Sequence, residues 1–485
     1  MKIGIIGAGI AGLAAAVRMA AHGYEVDVFE ANPYPGGKLS EFRLGGYRFD
    51  AGPSLFTMPM YVDELYRLAD PAKTPPLSYR RLDVVCHYFW EDGVRLHAHA
   101  APEEFARGAA DVLGVDPQAI LRALADSRRK YELTGRTFLE RSLHRPATWL
   151  SREVGSALLQ LPSLDIFRSM HQVNQRQLQH PKLVQLFDRF ATYNGSNPYR
   201  APGILNIIPH FEHHFGAYFP QGGMHAITEH LYRLALEGGV RFHFEQPVSE
   251  IRVEKGRASA LVVGERTLRY DRIVSNMDVF FTYRRLLPGQ KAPERILAQE
   301  KSTSALIFYW GIRKEFPELG LHNIFFSEDY REEFDLLGRG RISDDPSVYV
   351  NITQKYESGD APAGCENWFT MINVPYNSGQ DWDALIARSR KNVLDKLSRI
   401  LGRAIEPLIE EEALLDPRTI ESRTNSHLGA LYGTSSNDRM AAFLRHANFS
   451  SRIEDLYFCG GSVHPGGGIP LCLLSARIVD QLMHD

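Results

Sequence analysis

Three glycines, Gly7, Gly9 and Gly12, stand between a β-rich run and a run of small residues, at a spacing with specific chemical use. The first permits a tight turn, the second lets the backbone approach a pyrophosphate, and the third lets a helix pack closely on a sheet. Phosphates held there would rest on free N–H groups at a positive helix end, with Ile10 and Ala11 among the contacts. Glu30 closes the next strand 18 residues beyond Gly12, where a carboxylate can accept from both hydroxyls of an adenosine ribose. Ala31 and Val248 complete this end of the expected site. These residues alone leave a nicotinamide and a flavin dinucleotide both open. The order of the turns after Glu30 favours FAD. Asn32-Pro33-Tyr34-Pro35-Gly36-Gly37-Lys38 is a second glycine turn, which an extended dinucleotide needs if the backbone is to skirt it. Asp50-Ala51-Gly52-Pro53-Ser54 is a third close approach.

The far end of the chain carries a fourth. Residues Leu456 to Pro470 include Gly460, Gly461, Gly467, Gly468, Ile469 and Pro470, and join a strand to a terminal helix. Backbone with so few side chains can lie against a flat ring system. The helix N-terminus after it offers partial positive charge to the pyrimidine edge of a reduced flavin.

The elements that must position these turns read as α/β. Lys2 to Ile6 and Glu25 to Phe29 are strand-like, with a helix over Ala11 to Ala21 between them. From about 102 to 193 the pattern becomes helical, broken at Pro146 and Pro162. Strand text returns at Val240 to Phe244, Ile251 to Val253 and Ala260 to Val263. Alternating runs at Thr303 to Trp310 and Trp368 to Val374 predict a second sheet flanked by a helix over Asp383 to Leu401, and Asp455 to Cys459 is a last strand. The expected architecture is a Rossmann-like FAD-binding domain built discontinuously from 1–75, 215–282 and 440–485. A substrate domain of mixed sheet and helices takes 76–214 and 283–439, with 101–200 mainly helical.

Composition excludes several classes. With 485 residues, 44% hydrophobic and 23% charged, the chain is an ordinary folded protein able to enclose a large cavity. A net charge of -3 without a basic stripe argues against nucleic acid. Cys86, Cys365, Cys459 and Cys472 show no CxxC or metal spacing, which suits a reducing cytoplasm. The first twenty residues are expected to be domain rather than leader. No window has the 18 to 20 or so apolar residues of a membrane span. His210, His213 and His214 have only Glu212 as a neighbouring carboxylate, on a different helical face, so no metal site is expected.

Taken together, Gly7 to Gly12 with Glu30, Gly36-Gly37-Lys38, Phe49 to Ser54, Tyr218 to Met224 and the Leu456 to Ala476 run resemble the bacterial-type phytoene dehydrogenase family. These are FAD-dependent carotenoid desaturases and isomerases within the wider flavin amine oxidase superfamily. Tyr457 to Pro470 followed by Leu474-Ser475-Ala476 is similar to the family's C-terminal signature. One departure is Gly461-Ser462, where many members of the superfamily place an aspartate, so that contact would fall to backbone or Ser462.

The resemblance implies a long apolar polyene held in a tunnel that reaches the flavin. It implies conversion of C–H bonds to a new C=C by hydride removal at flavin N5 and proton loss from the adjacent carbon. Asp165 and Arg168, three apart in text read as helical, become candidates to stabilise charge or accept the proton, with a structural ion pair as the alternative. Tyr193, Asn194 and Asn197 resemble a cavity-lining turn, or form an ordinary loop. Leu158 to Ile166 suits a helix at the inner face of a membrane, and equally suits core packing. The short stretches Gly36 to Leu39 and Gly52 to Thr57 lean toward 3,4-desaturation of a hydroxylated or monocyclic carotenoid. Phytoene desaturation, polyene isomerisation, amine oxidation and mere pigment binding remain as alternatives. The terminal electron acceptor, oxygen or a quinone, is left open.

Overall fold

The computed structural model of this chain describes residues 1–69, 74–150, 160–438 and 445–484. Lys2–Ile6 pairs with Glu25–Phe29 on one side and Arg272–Ser275 on the other, and Arg241–His243 and Leu456–Phe458 form the edges. Every pairing in this five-stranded sheet is parallel. Such a sheet is covered on both faces, which is why Ile3, Ile5, Val26, Val28, Ile273 and Val274 are all buried. Ala14, Ala15 and Ala16 on the Ile10–Ala21 helix are fully buried. Their small side chains let that helix pack against both Ile469–His484 and His225–Glu237. An edge strand of three residues needs help to stay in place. Asp27 supplies it by accepting from Arg241 Nε (2.8 Å), His243 Nε2 (2.9 Å) and the Tyr270 hydroxyl (3.1 Å). Burial alone would raise the Asp27 pKa; these donors outweigh it and hold the carboxyl well below its usual range.

The second sheet has seven strands, in the order Ile409–Leu415, Ser304–Ile312, Glu366–Val374, Val348–Ile352, His322–Phe325, Val84–Phe89 and Arg95–His99. It is antiparallel except where His322–Phe325 meets Val84–Phe89. Side chains on a strand alternate between faces. Leu306, Phe308 and Trp310 therefore join the core under the Trp382–Leu401 helix, while Ile307 and Tyr309 face a large internal cavity. Two bonds tie this sheet to the third glycine turn and the strand leading into it: the Tyr309 hydroxyl donates to the Ala51 carbonyl (2.7 Å), and Asn367 Nδ2 donates to the Arg48 carbonyl (2.7 Å).

Helices Pro102–Leu113, Pro117–Glu140, Met170–Leu178 and Pro181–Asp188 pack on the Val84–Phe89 end of the sheet. Three of them begin on proline, whose missing N–H costs nothing at the first helical position. The continuous helix expected around Asp165 and Arg168 does not form. A 3-10 turn over Leu161–Leu164 ends on Asp165, which is left-handed (φ 52°), and a new helix starts only after Ser169, which caps it reciprocally with Gln172. Of the Leu158 to Ile166 stretch, residues 158 and 159 lie outside the described residues. Among the described residues no helix is long and apolar enough to cross a membrane.

Candidate active site

The strand Lys2–Ile6 delivers Gly7 into a left-handed turn (φ 92°), and the helix Ile10–Ala21 starts from Gly9 with no side chain capping it. Its first amides are left for a ligand. A Cβ on Gly12 would lie 2.1 Å from the Gly7 carbonyl oxygen, so turn and helix touch through a gap that admits only hydrogen. Glu30 is buried at the end of the second strand. Its Oε2 accepts from the Ala8 N–H (2.8 Å) and its Oε1 from the Asn32 N–H (2.9 Å), which fixes the carboxylate beside the turn.

The second and third turns are locked to each other and to the next helix. A Cβ on Gly52 would fall 1.9 Å from the Lys38 carbonyl oxygen. Asp50 accepts from the backbone N–H groups of Met224 (2.9 Å) and His225 (3.1 Å), capping the His225–Glu237 helix from outside its own chain segment. The stretches Asp50 to Ser54 and Tyr218 to Met224 are thereby hydrogen-bonded neighbours, although only the first contributes residues to the cavity described next. Arg48 balances that carboxylate at 2.9 Å and also pairs with Glu41 and Asp360. Lys38 Nζ donates to the Leu431 carbonyl (2.9 Å); burial lowers its pKa, opposed by Asp278 and Cys472. At the far turn, Ser462 Oγ accepts from the Val279 N–H (3.0 Å) where the wider pattern has an aspartate.

These turns enclose one cavity of about 1020 Å³. Gly7, Gly9, Ile10, Ala11, Glu30, Ala31, Gly36, Gly37, Lys38, Gly52, Pro53, Ser54, Val248, Gly460, Gly461, Gly467, Gly468, Ile469 and Pro470 all line it. Gly12 lies behind the turn. Asp165 and Arg168 are not brought to it. Asp165 instead pairs with the fully buried Lys130 (3.0 Å) and with the half-exposed Arg168 (3.1 Å). Tyr193 lines the cavity, whereas Asn194 and Asn197 are engaged by Ser436 and Asn437. His210 stacks on His214 and His213 on Phe105, and burial first of all lowers the pKa of His210 and His213 to about 4.

The same cavity has an apolar part, the chamber, with Val85, Ile324, Phe326, Val348, Phe369 and Met371 in its wall. Its polar members come from elements distant in sequence. Ser54 Oγ and the Tyr349 hydroxyl are 2.8 Å apart, and the Tyr349 hydroxyl lies 2.7 Å from His322 Nδ1. Arg189 donates to the hydroxyls of Tyr88 (2.8 Å) and Tyr193 (3.0 Å) and lies 3.6 Å from Glu212, to which Tyr193 also donates. Sequence reading passed over Arg189, His322 and Tyr349. The available signal was polar residues set within otherwise apolar strand text, His322-Asn323 and Tyr349-Val350-Asn351.

Comparison with known proteins agrees with this geometry. The model of the flavin containing amine oxidoreductase family matches residues 10–481. The chain is 50% identical over 480 residues to a 1-hydroxycarotenoid 3,4-desaturase of Flavobacterium sp., covering 99% of this chain and 98% of that one. It is 32% identical to a 4,4'-diapolycopene oxygenase of Methylomonas sp., covering 100% and 98%. Among solved structures, an oxidoreductase from Methanosarcina mazei superposes with a TM-score of 0.64 at 16% identity over 100% of both chains. Cyclohexylamine oxidase from Brevibacterium oxydans superposes with a TM-score of 0.63 at 16% identity, over 100% and 99%. At that identity the two structures bear on the fold alone. The glycine-lined cleft and its apolar chamber are those of a flavin-dependent oxidoreductase, and the chain belongs to the flavin containing amine oxidoreductase family.

Proposed function

We infer that this protein is an FAD-dependent carotenoid desaturase that introduces C=C bonds into a long polyene, acting by preference at the 3,4 position of a hydroxylated or monocyclic carotenoid. The observation that carries this reading is the continuity of the cavity. It runs from Glu30 and Val248, past the four glycine turns, into a chamber walled by apolar strand residues. A site with a ribose end, a pyrophosphate turn and a ring-sized glycine cleft suits a dinucleotide rather than a mononucleotide. The 50% identity to the Flavobacterium enzyme along nearly the whole chain supports the choice of substrate class. A bound flavin supplies the two-electron acceptor for oxidation of a C–H bond.

The chain's own residues then have distinct tasks. Glu30 holds the ribose, and the free amides after Gly9 hold the pyrophosphate. Asp50, by capping the His225–Glu237 helix, keeps the Gly52 turn in register with the cofactor cleft. Phe326, Val348, Phe369 and Met371 exclude water and hold the polyene by burial of its length. Asp165 and Arg168 act as positioning residues, through Lys130, for the helical layer above the chamber. Reoxidation falls to oxygen or a membrane quinone.

The test is to identify the nucleotide released from purified protein and to supply the holoprotein with a 1-hydroxylated carotenoid, a monocyclic carotenoid and phytoene in turn. Chromatography should show FAD, and a product two hydrogens lighter from the first or second carotenoid. FMN in place of FAD, or turnover of phytoene only, would overturn the reading.

The substrate class implies contact with a membrane, and we place it on the inner face, at the helical layer. Trp149 (44% exposed) and Leu150 (87%), close in sequence to the exposed Arg145, and Phe167 (72%), next in sequence to the exposed Arg168, present large apolar side chains to solvent. Leu150→Glu with Phe167→Glu should lower co-sedimentation with anionic liposomes severalfold and leave the flavin spectrum intact. Undiminished co-sedimentation would exclude these two residues as the contact.

A further inference from the structure

Two helices begin at the glycine turns, and at their other ends three metal-ligand side chains meet, none of which lines the cavity. His22 stands at the C-terminus of the Ile10–Ala21 helix, and Asp480 and His484 stand one turn apart at the C-terminus of Ile469–His484. The His22 and His484 rings stack with their centroids 4.0 Å apart. His22 Nε2 and His484 Nδ1 lie 2.9 Å and 3.3 Å from Asp480 Oδ1. One ligand atom from each residue lies within 4.8 Å of the other two. Ligand atoms held at about 2.0–2.1 Å by a tetrahedral zinc stand roughly 3.3 Å apart, so two edges of the set are formed and a small rotation of either ring closes the third. The rings can turn and an ion can reach them, because the side chains of His22 and His484 are 42% and 34% exposed.

Two further observations favour a cation at this place. Both helices present their C-termini to it, where the partial negative charge of unpaired carbonyls attracts positive charge, and Arg272 Nη1 already donates to the Met483 carbonyl. The atoms behind the ligands are also held. Asp480 Oδ2 lies 3.6 Å from Arg18 Nη1, which leaves Oδ1 to the two rings. His484 Nε2 lies 2.9 Å from the Tyr24 hydroxyl, and Nδ1 lies 2.7 Å from the Asp480 carbonyl oxygen. In the metal-free protein Nδ1–H donates to that carbonyl and Nε2 accepts from Tyr24. With an ion on Nδ1 the ring proton moves to Nε2, which then donates to the Tyr24 oxygen, the outer bond by which a ligating histidine is held in its tautomer. We propose that His22, Asp480 and His484 form a binding site for a divalent ion of the zinc type, with water in the fourth position, which fastens the far end of the first helix to that of the terminal helix. Two imidazoles and one carboxylate suit zinc rather than calcium or magnesium, which take oxygen ligands. Sequence spacing does not show the set, because His22 and Asp480 are 458 positions apart. The site is independent of the reaction proposed for the cofactor cleft.

The test uses the flavin-loaded protein without a histidine tag, freed of metal by chelation and titrated calorimetrically with zinc ions. A single equivalent should bind with a dissociation constant on the order of micromolar, and the thermal midpoint should rise with zinc concentration. His22→Ala and His484→Ala, both at positions open to solvent, should keep the flavin and lose both the binding and the rise. Tyr24→Phe, which removes only the oxygen behind His484, should weaken the affinity by about 10-fold. Copper(II) in place of zinc should show two nitrogen ligands by electron paramagnetic resonance in the parent and one in either histidine variant. His97→Ala is the control. His97 stacks on His87 at 4.1 Å in the seven-stranded sheet, and its removal should change nothing. A parent that takes up no zinc saturably, or binding that survives both the His22 and the His484 changes, overturns the site. Binding lost only in His97→Ala does so too, by moving it to the other histidine pair. Should one histidine variant fail to fold, the other still decides.

Discussion

Gly12→Ala is expected to purify without bound flavin. The added Cβ would stand 2.1 Å from the Gly7 carbonyl oxygen, a distance at which backbone must move. The two parts that would separate are the turn and the helix end that, in the proposed site, would together present amides to a pyrophosphate. No flexible side chain stands between them to absorb the displacement. Overpacking of a tight contact costs about 3 kcal/mol, and every 1.4 kcal/mol is roughly tenfold in an equilibrium constant, so flavin affinity should fall about 100-fold. The measurement is the ratio of flavin to protein absorbance after gel filtration. Gly108→Ala is the matched control. Gly108 lies inside the Pro102–Leu113 helix, and its Cβ would meet nothing within 4 Å. That change should keep the flavin and stabilise the helix by about 0.5–1 kcal/mol. A Gly12→Ala protein with its full flavin band would show that helix and turn can part without cost, and would remove the argument from close packing.

That glycine was legible in the sequence because its requirement is local: a strand, a turn and a helix within about twenty residues. The same holds for Lys2–Ile6 and Glu25–Phe29, which fold with the bounds their patterns predict. The strand expected over Thr303 to Trp310 runs on to Ile312, and the helix expected from Asp383 starts at Trp382, since Asp381 caps it. What the sequence hid depends on partners far along the chain. Asp50 gains meaning only when the amides of Met224 and His225 arrive from 174 and 175 residues away. His322 meets its partners Tyr349 and Asn351 only because they stand on the neighbouring strand. The stretch at Asp165 misled for a related reason. Leu164 to His171 has helix-compatible side chains, yet Ser169 offers a better start to a new helix than continuation of the old one, and Asp165 turns left-handed to end the turn before it. Periodicity reports which residues tolerate a helix; it does not report which competing cap prevails.

Lys130→Met is expected to destabilise the protein by about 3 kcal/mol and to leave the bound flavin's spectrum unchanged. Lys130 is fully buried in the Pro117–Glu140 helix, with Asp126 at 2.9 Å and Asp165 at 3.0 Å. Breaking a buried pair from one side costs more than the pair contributes, because the abandoned charge stays out of water. Asp165 would be left with Arg168 alone, whose side chain is half in solvent and a weak partner. Asp165→Asn should cost less, about 1–2 kcal/mol, since Lys130 keeps Asp126. The two changes share one interaction, so the double variant should be less destabilised than the sum of the singles by about 1 kcal/mol or more. Thermal midpoints read all three. The cycle also separates structure from chemistry at this site. If Asp165 serves only to hold the helical layer, the Asp165→Asn protein at a temperature where it is fully folded should desaturate carotenoid at close to the parent rate. A rate lost by 100-fold or more in that folded protein would put Asp165 in the reaction and refute its assignment as a positioning residue.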